Sequence, residues 1–538
     1  MKNISLLAVA ALLALFAVSC RTTSEPVPVP GKVTGIVYLD ANENGEFDAR
    51  GDKPLKGVAV SNGRDIAVTD RKGVYRLPLR DNCAIFVIKP RGYRFPADDR
   101  NVPRFFRLNM PGGASGTRYQ GLEPTEPITG AVNFPLYRST EPAAMKVLVF
   151  GDTQPRNDRE IEYIEKDILA EIDPAGTSFG VTLGDIVYDN LNIYSHLTGA
   201  ISSLNLPWVY LPGNHDLDYT GDTQTDALGS WYRTFGPDYY SFTWGPAHFV
   251  VLNTIRWLVD ETGRRYRTGL GSDQLEFFRN EVERIDRDQL LVILTHIPFT
   301  QSTRWYDEEE KKAFFEVLAK HKNSVTLAAH THVHYHHMIG EADGFPGVTP
   351  HHMVSVGTTC GSWWSGAPDE YGIPHSMQAD GTPTGYSWLH ISGNEWKLQF
   401  QAARRPASFQ MHIDAPSVFT IGDTVQYTIT ANIFNALPDA VVRMKVGNNG
   451  EWITMNNVIK TDSVLARVIE REAELGVVPW RRLARPMLTP HLWEATPDVG
   501  RLQPGVYPVI IESSDRWYSY SGKHLLWVRE AAKEISDI

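Results

Sequence analysis

Five polar clusters, each directly after a short apolar run, constrain the fold of this 538-residue chain more than any other feature. They are Gly151-Asp152-Thr153-Gln154, Gly184-Asp185-Ile186-Val187-Tyr188-Asp189, Leu211-Pro212-Gly213-Asn214-His215-Asp216, Leu294-Thr295-His296-Ile297-Pro298 and Ala329-His330-Thr331-His332. Between about residues 145 and 402, apolar runs alternate with segments of helical periodicity, which predicts an α/β domain. Active sites of open α/β sheets form beyond the carboxyl ends of the strands, so the clusters predict one shared crevice.

The clusters supply carboxylate, amide and imidazole groups. The candidate metal ligands are Asp152, Asp185, Asn214, His296, His330 and His332. This donor set suits Mn, Fe or Zn better than Ca, and with three cysteines in the chain a thiolate zinc cluster is excluded. One ion would leave several ligands unused, whereas two divalent ions about 3.5–4 Å apart would use them all around a shared carboxylate. Residues i and i+2 of an extended chain point the same way, which adds Gln154 to Asp152.

In order, the motifs GDTQ, GDIVYDN, GNHD, THIP and AHTH resemble the calcineurin-like metallophosphoesterase family over about residues 145–400. The resemblance implies a four-layer αββα sandwich and a phosphoester substrate. It implies a first metal bound by Asp152, Gln154, Asp185 and His332, with Asp185 bridging to a second metal bound by Asn214, His296 and His330. It also implies that a hydroxide bridging the metals attacks phosphorus in line, while His215 stabilises the transition state or protonates the leaving oxygen.

Four residues of these motifs need separate comment. Asp216 or Asp189 would orient His215. Gln154 stands where the family has a histidine, and a neutral amide is a weaker ligand, so the first metal binds less tightly or Gln154 does not bind it. Tyr188 lies where purple acid phosphatases of the same superfamily carry a ferric-binding tyrosine, which makes it an alternative ligand.

The segment Cys360–Gly366 follows an apolar run at Met353–Val356. Its Ser362, Trp363 and Trp364 are interpreted either as a loop that lines the substrate site or as a core anchor between domains. The remaining histidines of this region are expected behind the ligands or at the surface; they are His334, His336, His337, His351 and His352.

Two β-rich regions flank the α/β domain. Residues 31–137 contain short β-type runs punctuated by Gly, Asp and Asn, which predicts an N-terminal β-sandwich. Residues 405–538 return to alternation, from Val425 to Ile433, and one helical segment at Ser463–Leu475 interrupts a mostly-β domain.

The N-terminal region also contains part of a calcium-loop pattern. Asp40, Asn42, Asn44 and Asp48 match its first half, but Gly51 occupies the position of the closing glutamate. Two interpretations stay open, a bound Ca that stiffens this domain and a β-turn without metal.

The first nineteen residues read as a signal peptide. Lys2 precedes an uncharged apolar stretch, Ile4–Val18, that is short for a membrane span. It ends at Ala17-Val18-Ser19-Cys20, which resembles a bacterial lipobox, so Cys20 is predicted to be lipidated and residues 20–30 to form a tether. The expected location is the cell envelope, as an exported lipoprotein on the periplasmic face or cell surface. An ordinary cleaved signal with a coincidental cysteine is the alternative.

These patterns predict a membrane-tethered, two-metal phosphoesterase, that is, a hydrolase acting on ester bonds. The competing hypothesis is a non-catalytic binding lipoprotein of the cell envelope on a phosphoesterase scaffold, which only Gln154 favours. No nucleic-acid partner is expected, and a nuclease of the same superfamily is disfavoured, because the net charge is −11 and no basic groove is evident. The sequence does not indicate an oligomeric state.

Overall fold

The computed structural model describes Pro26 and residues 29–114, 118–299, 305–422 and 427–530. The predicted signal peptide, Cys20 and Val425 lie outside the described residues. Within these ranges no helix is both long and apolar enough to cross a bilayer.

The N-terminal region is built from two small sheets. One has the order β2-β1-β9-β7 with β5 paired to β1, and the other has the order β4-β3-β6-β8. Their side chains pack into a common core, as expected for a β-sandwich. The strands are β1 Lys32–Leu39, β2 Lys53–Pro54, β3 Ala59–Ser61, β4 Ile66–Val68, β5 Val74–Pro78, β6 Cys83–Ile88, β7 Tyr93–Arg94, β8 Phe106–Asn109 and β9 Phe134–Arg138.

The central region contains thirteen strands and six α-helices in the described ranges. The strands are β10 Ala144–Phe150, β11 Phe179–Thr182, β12 Trp208–Tyr210, β13 Tyr240–Trp244, β14 Ala247–Val251, β15 Ile255–Asp260, β16 Gly263–Thr268, β17 Leu290–Leu294, β18 Ser324–Ala328, β19 Tyr335–Ile339, β20 His351–Ser355, β21 Gly385–Ser392 and β22 Glu395–Ala402. The helices are α1 Asp158–Asp167, α2 Tyr194–Ser202, α3 Gln224–Ala227, α4 Gly229–Thr234, α5 Ser272–Arg284 and α6 Glu308–Leu318.

Two mixed sheets form the middle layers of this region. The first has the order β12-β11-β10-β21-β22, and the second has the order β13-β14-β17-β18-β20-β19. Strands β10 to β12 are mutually parallel, as are β14, β17, β18 and β20. Parallel neighbours bring the carboxyl ends of the strands to the same edge of each sheet, which is where the five polar clusters begin.

Apolar packing on both faces of the first sheet explains the layers. Within β10, Val147 and Val149 join the core between the sheets, whereas Leu148 and Phe150 join a second core that includes Ile161 of α1. Helix α1 contacts α2, and α5 contacts α6. The predicted four-layer α/β sandwich with flanking β-rich regions is confirmed.

The ends of two helices have local causes. Helix α1 ends at Asp167 and is followed by a 3₁₀ turn at Leu169–Glu171. Helix α6 begins after Asp307, because the Asp307 carboxylate caps it by accepting the backbone N–H of Glu309.

The C-terminal region again has two sheets and one helix. Their orders are β23-β25-β29-β28 and β24-β31-β30-β26-β27. The predicted helix is observed as α7 Ser463–Glu474, capped by the Asp462 side chain. The strands are β23 Met411–Asp414, β24 Val418–Thr420, β25 Ile429–Ile433, β26 Val441–Val446, β27 Ile453–Thr454, β28 Asn456–Thr461, β29 Leu488–Ala495, β30 Gly505–Ser514 and β31 Ser519–Arg529.

Candidate metal centre

The five polar clusters lie at one edge of the two central sheets and meet in a single crevice. Asp152 follows β10, Asp185 follows β11 and Asn214 follows β12. From the second sheet, His296 follows β17 and His330 follows β18.

The backbone of the crevice is strained in the way that functional sites often are. Thirteen non-glycine residues of the described chain have a positive φ, and more than half of them belong to this crevice and its rim. A left-handed backbone is costly for such residues and persists only where surrounding contacts impose it. The crevice residues with positive φ are Gln154, Asp185, Asp189, His330, His332, Trp363 and Trp364.

The residues predicted for a first metal lie together. His332 Nε2 is 3.0 Å from Asp152 Oδ2, and both side chains are buried. The Gln154 amide donates a 2.6 Å hydrogen bond from Nε2 to Asp185 Oδ2. In this arrangement Gln154 presents a nitrogen, not an oxygen, toward the shared carboxylate, so its role as a ligand stays a prediction.

The residues predicted for a second metal surround His296. Its Nε2 lies 3.3 Å from Asp185 Oδ1, 3.2 Å from Asn214 Oδ1 and 3.2 Å from His330 Nδ1. Ligand atoms of Asp185, His296 and His330 all lie within 4.8 Å of one another, so they could hold one cation together. Asp185 thus contacts both groups of residues, as a bridging carboxylate must.

The two carboxylates control the charge of the neighbouring imidazoles. Burial opposes protonation of His296, but Asp185 outweighs it and raises the pKa of His296 to about 9. Burial likewise opposes protonation of His332, and contacts with Cys360 and Asp152 raise its pKa well above the usual value. His330 is different, because burial and the neighbouring His296 lower its pKa to about 4.

This donor set fits divalent cations. Two buried carboxylates accumulate negative charge, and without a cation that charge is balanced by protons on His296 and His332. A bound metal would replace those protons, since imidazole must be neutral to coordinate. Oxygen and imidazole donors without a bound thiolate suit Mn, Fe or Zn.

His215 lies beside the ligands. Its backbone N–H donates to Asp185 Oδ1 at 2.8 Å, and its Nδ1 lies 2.7 Å from Asp189 Oδ1. Burial lowers the pKa of His215, but the Asp185 and Asp189 carboxylates outweigh it and raise the pKa. The ring of Tyr188 stacks on the His215 ring with centroids 4.2 Å apart. A role for Tyr188 as a metal ligand stays a prediction.

Asp216 does not have the catalytic position predicted for it. Its fully buried carboxylate accepts backbone N–H groups of Gly213 at 2.8 Å and Ile186 at 3.1 Å, and the hydroxyl of Tyr194 at 3.0 Å. Burial, followed by the charge of Asp185, raises the pKa of Asp216 to about 7. Asp216 therefore joins two of the loops, and it is Asp189 that orients His215.

The loop at residues 360–366 combines both interpretations. Trp364 is buried, and its indole donates to the carbonyl of Thr153 at 3.0 Å, so it is an anchor. Ser362 is also buried. Trp363 instead is half-buried, and its ring lies 4.4 Å from the ring of His332, where it can line a substrate site.

Three crevice residues were not predicted from the sequence. The thiol of Cys360 lies 3.4 Å from Gln154 Oε1, and Cys360 and Cys83 are both free. Tyr266 packs its ring edge-on against His330 with centroids 6.4 Å apart. Arg481 reaches Trp363 from the C-terminal region. No local sequence pattern marks these residues, because all three lie outside the five motifs.

The remaining histidines are mostly buried, and the interpretation as surface residues is wrong for four of them. His334 and His336 both contact Asn435 Oδ1 of the C-terminal region, at 2.9 and 3.1 Å. His352 lies 3.0 Å from His336, whereas His351 contacts two hydroxyls of β18. His337 alone is half-buried.

The N-terminal loop is closed by a residue that the calcium pattern does not include. Asp52, not Gly51, ties it together, accepting the N–H groups of Ala41 at 3.1 Å and Asp48 at 2.8 Å. The side chains of Asn42, Asn44 and Asp48 accept N–H groups two residues further on, as in a turn that needs no metal. Asp40 is buried and uses Oδ2 to accept the N–H of Gly45. Calcium binding stays a prediction.

Two known proteins are similar to parts of this chain. A protein of Ipomoea batatas, purple acid phosphatase 1, is 26% identical over 146 residues, which are 23% of this chain and 28% of that protein. The solved structure of purple acid phosphatase PPD1 from yellow lupin (Lupinus luteus) covers 64% of this chain and 66% of its own, with 14% identity and a TM-score of 0.33.

Three family models match successive parts of the chain. They are the N terminal of calcineurin-like phosphoesterase at residues 41–119, calcineurin-like phosphoesterase at residues 145–334, and the C terminal of calcineurin-like phosphoesterase at residues 354–520. The central match contains all the candidate metal ligands, and the three matches together extend over all three regions of the fold. The chain belongs to the calcineurin-like phosphoesterase family.

Proposed function

We propose that the crevice hydrolyses a phosphate mono- or diester with the help of two divalent cations. The observation that carries the proposal is the position of Asp185, whose two carboxylate oxygens face Gln154 on one side and His296 on the other. Asp152 and His332 would complete the first ion's ligands, and Asn214 and His330 the second's. Bound there, the ions would supply positive charge to the reacting phosphate and lower the pKa of a water molecule.

The chain's own contribution to the reaction centres on His215. Asp189 holds Nδ1, which leaves Nε2 as the nitrogen that can donate a proton to the leaving oxygen. The raised pKa of His215 favours the protonated form that this step needs. The Tyr188 ring fixes the plane of the imidazole and shields one face from water.

The proposal is tested by stripping the protein with a chelator and reloading it with Mn, Fe or Zn. Metal content is measured by mass spectrometry, beside hydrolysis of p-nitrophenyl phosphate and of bis(p-nitrophenyl) phosphate. We expect activity to return as two ions bind per chain. Hydrolysis that survives removal of all metal would contradict the proposal, and the ratio of the two rates distinguishes a monoesterase from a diesterase.

Gln154 favours a second candidate, a non-catalytic binding lipoprotein of the cell envelope. An amide in place of a histidine weakens the first metal position, as a scaffold that only binds would tolerate. Such a protein would bind metal and phosphate without turnover. It would have no need of the oriented pair His215 and Asp189, which is why hydrolysis is the proposed function.

We also propose that the protein is attached to a membrane of the bacterial cell envelope through lipid on Cys20, after removal of residues 1–19. The apolar stretch before Cys20 and the small residues next to it support this proposal. Cells that express the full chain should incorporate radiolabelled palmitate into it, and the Cys20→Ala variant should not. Absence of label in the wild type, or label in the variant, would contradict the anchor.

A further inference from the structure

The mouth of the crevice is formed by two aromatic rings and one arginine. Tyr188 stacks on His215 with ring centroids 4.2 Å apart, and Trp363 packs at a tilt against His332 with ring centroids 4.4 Å apart. The guanidinium carbon of Arg481 lies 5.8 Å from the Tyr188 ring and 5.3 Å from the Trp363 ring. Arg481 of the C-terminal region therefore faces both the ring that contacts His215 and the ring that contacts His332.

The charge of Arg481 is not neutralised within the part of the chain that the structure describes. Its side chain is exposed and has neither an ion pair nor a hydrogen bond there. Arg156, which also reaches this loop, differs, because its guanidinium is paired with Glu160 while it lies 3.4 Å from the carbonyl of Trp363. An exposed guanidinium against aromatic faces retains its planar N–H edge for an anion.

Backbone contacts hold Arg481 in this place independently of its side chain. Its carbonyl accepts the N–H of Gly366 at 2.7 Å. The buried carboxylate of Glu472 on α7 accepts the N–H groups of Ala367 at 2.9 Å and Leu483 at 3.3 Å. The segment that carries Arg481 is thus fastened to the loop that carries Trp363, and shortening the arginine should leave both in position.

The backbone of Trp363 holds its ring in place beside Arg481. It is left-handed, with φ 60°, which is a costly conformation for a tryptophan and persists only where the surrounding contacts impose it. The ring faces the guanidinium with 5.3 Å between the guanidinium carbon and the ring centroid. The aromatic partner of the unpaired cation is therefore fixed by the loop.

We propose that Arg481, with Tyr188 and Trp363, forms a subsite for a second anionic group carried by the leaving group of the substrate. This inference rests on the proposed hydrolysis at the same crevice. The preferred substrate class is then a phosphate ester with a carboxylate or a further phosphate beyond the scissile bond.

The geometry selects the leaving-group side. The reacting phosphate would lie between the ligands and His215, and the Tyr188 ring contacts both His215 and the guanidinium of Arg481. Arg481 is thus near His215 through Tyr188 and makes no contact of its own with the ligands in the described ranges. Because His215 would donate a proton to the leaving oxygen, we assign Arg481 to the group that departs.

The test compares three phosphates that differ in the group opposite the scissile bond. These are 4-carboxyphenyl phosphate, 1,4-phenylene bisphosphate and, as the neutral reference, 4-carbamoylphenyl phosphate. Wild type should prefer the two anionic substrates in kcat/KM. Arg481→Ala should reduce that preference about five- to tenfold, the range of a partly exposed charge-assisted contact, while the neutral substrate changes less than about twofold. The two anionic arms distinguish a carboxylate from a phosphate.

The controls separate this role from a structural one. Arg481→Lys should restore part of the preference, because it keeps the charge. Arg482→Ala removes the neighbouring exposed arginine, whose side chain contacts the carbonyl of Gly476, and should leave the preference at the wild-type value. An equal loss on all three substrates in Arg481→Ala, or no loss at all, would overturn the subsite.

Binding measurements distinguish failure of the subsite from failure of the proposed hydrolysis. Calorimetry with 4-carboxybenzylphosphonate and 4-carbamoylbenzylphosphonate, which cannot be hydrolysed at the scissile position, uses the same variants. A wild type that hydrolyses none of the phosphates contradicts the proposed function. The subsite is still supported if the carboxylate binds about five- to tenfold more tightly than the amide only when Arg481 is present, and it is overturned if the two bind alike.

Discussion

Two crevice histidines and four histidines behind the crevice are all buried, yet their surroundings shift their pKa values in opposite directions. The crevice histidines His296 and His332 lie against Asp185 and Asp152, and their pKa values are raised, whereas the pKa of His330 beside them is lowered by burial and by His296. The rear histidines, defined as His334, His336, His351 and His352, have lowered pKa values because burial dominates. Only Val333 separates His332 from His334, so local sequence does not decide the outcome.

The difference lies in what the neighbouring carboxylates contact. Around the crevice, Asp152 and Asp185 face several imidazoles each. Behind it, the single carboxylate of Asp380 accepts the N–H groups of His334 and Thr382 and faces His491. The rings of His334 and His336 face the amide of Asn435. The ring of His351 faces two hydroxyls of β18, and that of His352 lies 3.0 Å from the Arg516 guanidinium. A buried histidine cluster therefore indicates a cation site only where it includes carboxylates that backbone N–H groups and structural ion pairs do not already neutralise.

The largest effect is expected when one carboxylate is removed from the crevice and, for comparison, one from the rear histidines. Asp185→Asn should lose bound metal, and hydrolysis should fall to background, a larger loss than the about 10²–10⁴-fold that a general acid provides. Asp380→Asn should retain metal and lower the thermal midpoint, since it unpairs His491 in a buried site. Metal analysis and thermal unfolding of both variants check this, and loss of metal from Asp380→Asn would remove the distinction.

The second prediction concerns the crevice histidine that is not a ligand. His215→Ala should keep its metal and lose about 10²–10³-fold in kcat, since the leaving oxygen no longer receives a proton. A substrate with a better leaving group should lose less, because it needs protonation less. Asp189→Asn should lose a smaller part of the rate. If metal content falls together with the rate in His215→Ala, the residue is a ligand and the assignment is wrong.

The third prediction concerns the rear histidines, whose lowered pKa values should reduce the stability of the fold in acid. Burial lowers the pKa of His351 to about 3, while the unfolded chain protonates near 6.5. A histidine with a lowered pKa leaves the free energy of unfolding undiminished above pH 6.5. As the pH falls from 6.5 toward 3, that free energy decreases, because only the unfolded chain takes up the proton. By pH 4.5 the loss is about 3 kcal/mol for this histidine.

His351→Gln should therefore flatten the dependence of the thermal midpoint on pH between 7 and 4.5. His196→Gln is the matched control, because His196 is an exposed residue on α2 that pairs with Asp158. The control should follow the wild-type slope. A slope that His351→Gln leaves unchanged would show that other groups control acid unfolding.

Much of this arrangement was predictable from sequence, and the exceptions depend on contacts between residues that are far apart in the chain. Strand ends and ligand types follow from apolar runs that end in Asp152, Asp185 and His296, because parallel strands bring their carboxyl ends together. The choice between Asp189 and Asp216 does not follow, since Asp216 is next to His215 in the chain, whereas Asp189, which contacts the ring, belongs to another cluster. Arg481 was not predictable either, because it depends on how α7 packs onto a loop more than a hundred residues earlier.

The smallest effect is expected at Gln154, the crevice position where the chain has an amide and its family has a histidine. Gln154 has φ 38°, a conformation that histidine tolerates better than most residues, so Gln154→His should fold. An imidazole there replaces an amide that now donates to Asp185, and it offers a stronger ligand to the first metal. Affinity for Zn should rise about tenfold, the scale on which single contacts around a metal act. Competition against a chromogenic chelator measures it, with Cys360→Ser as the control for disturbing the same corner. Weaker binding in Gln154→His would mean that the amide already serves the metal, and that the departure is an adaptation rather than a loss.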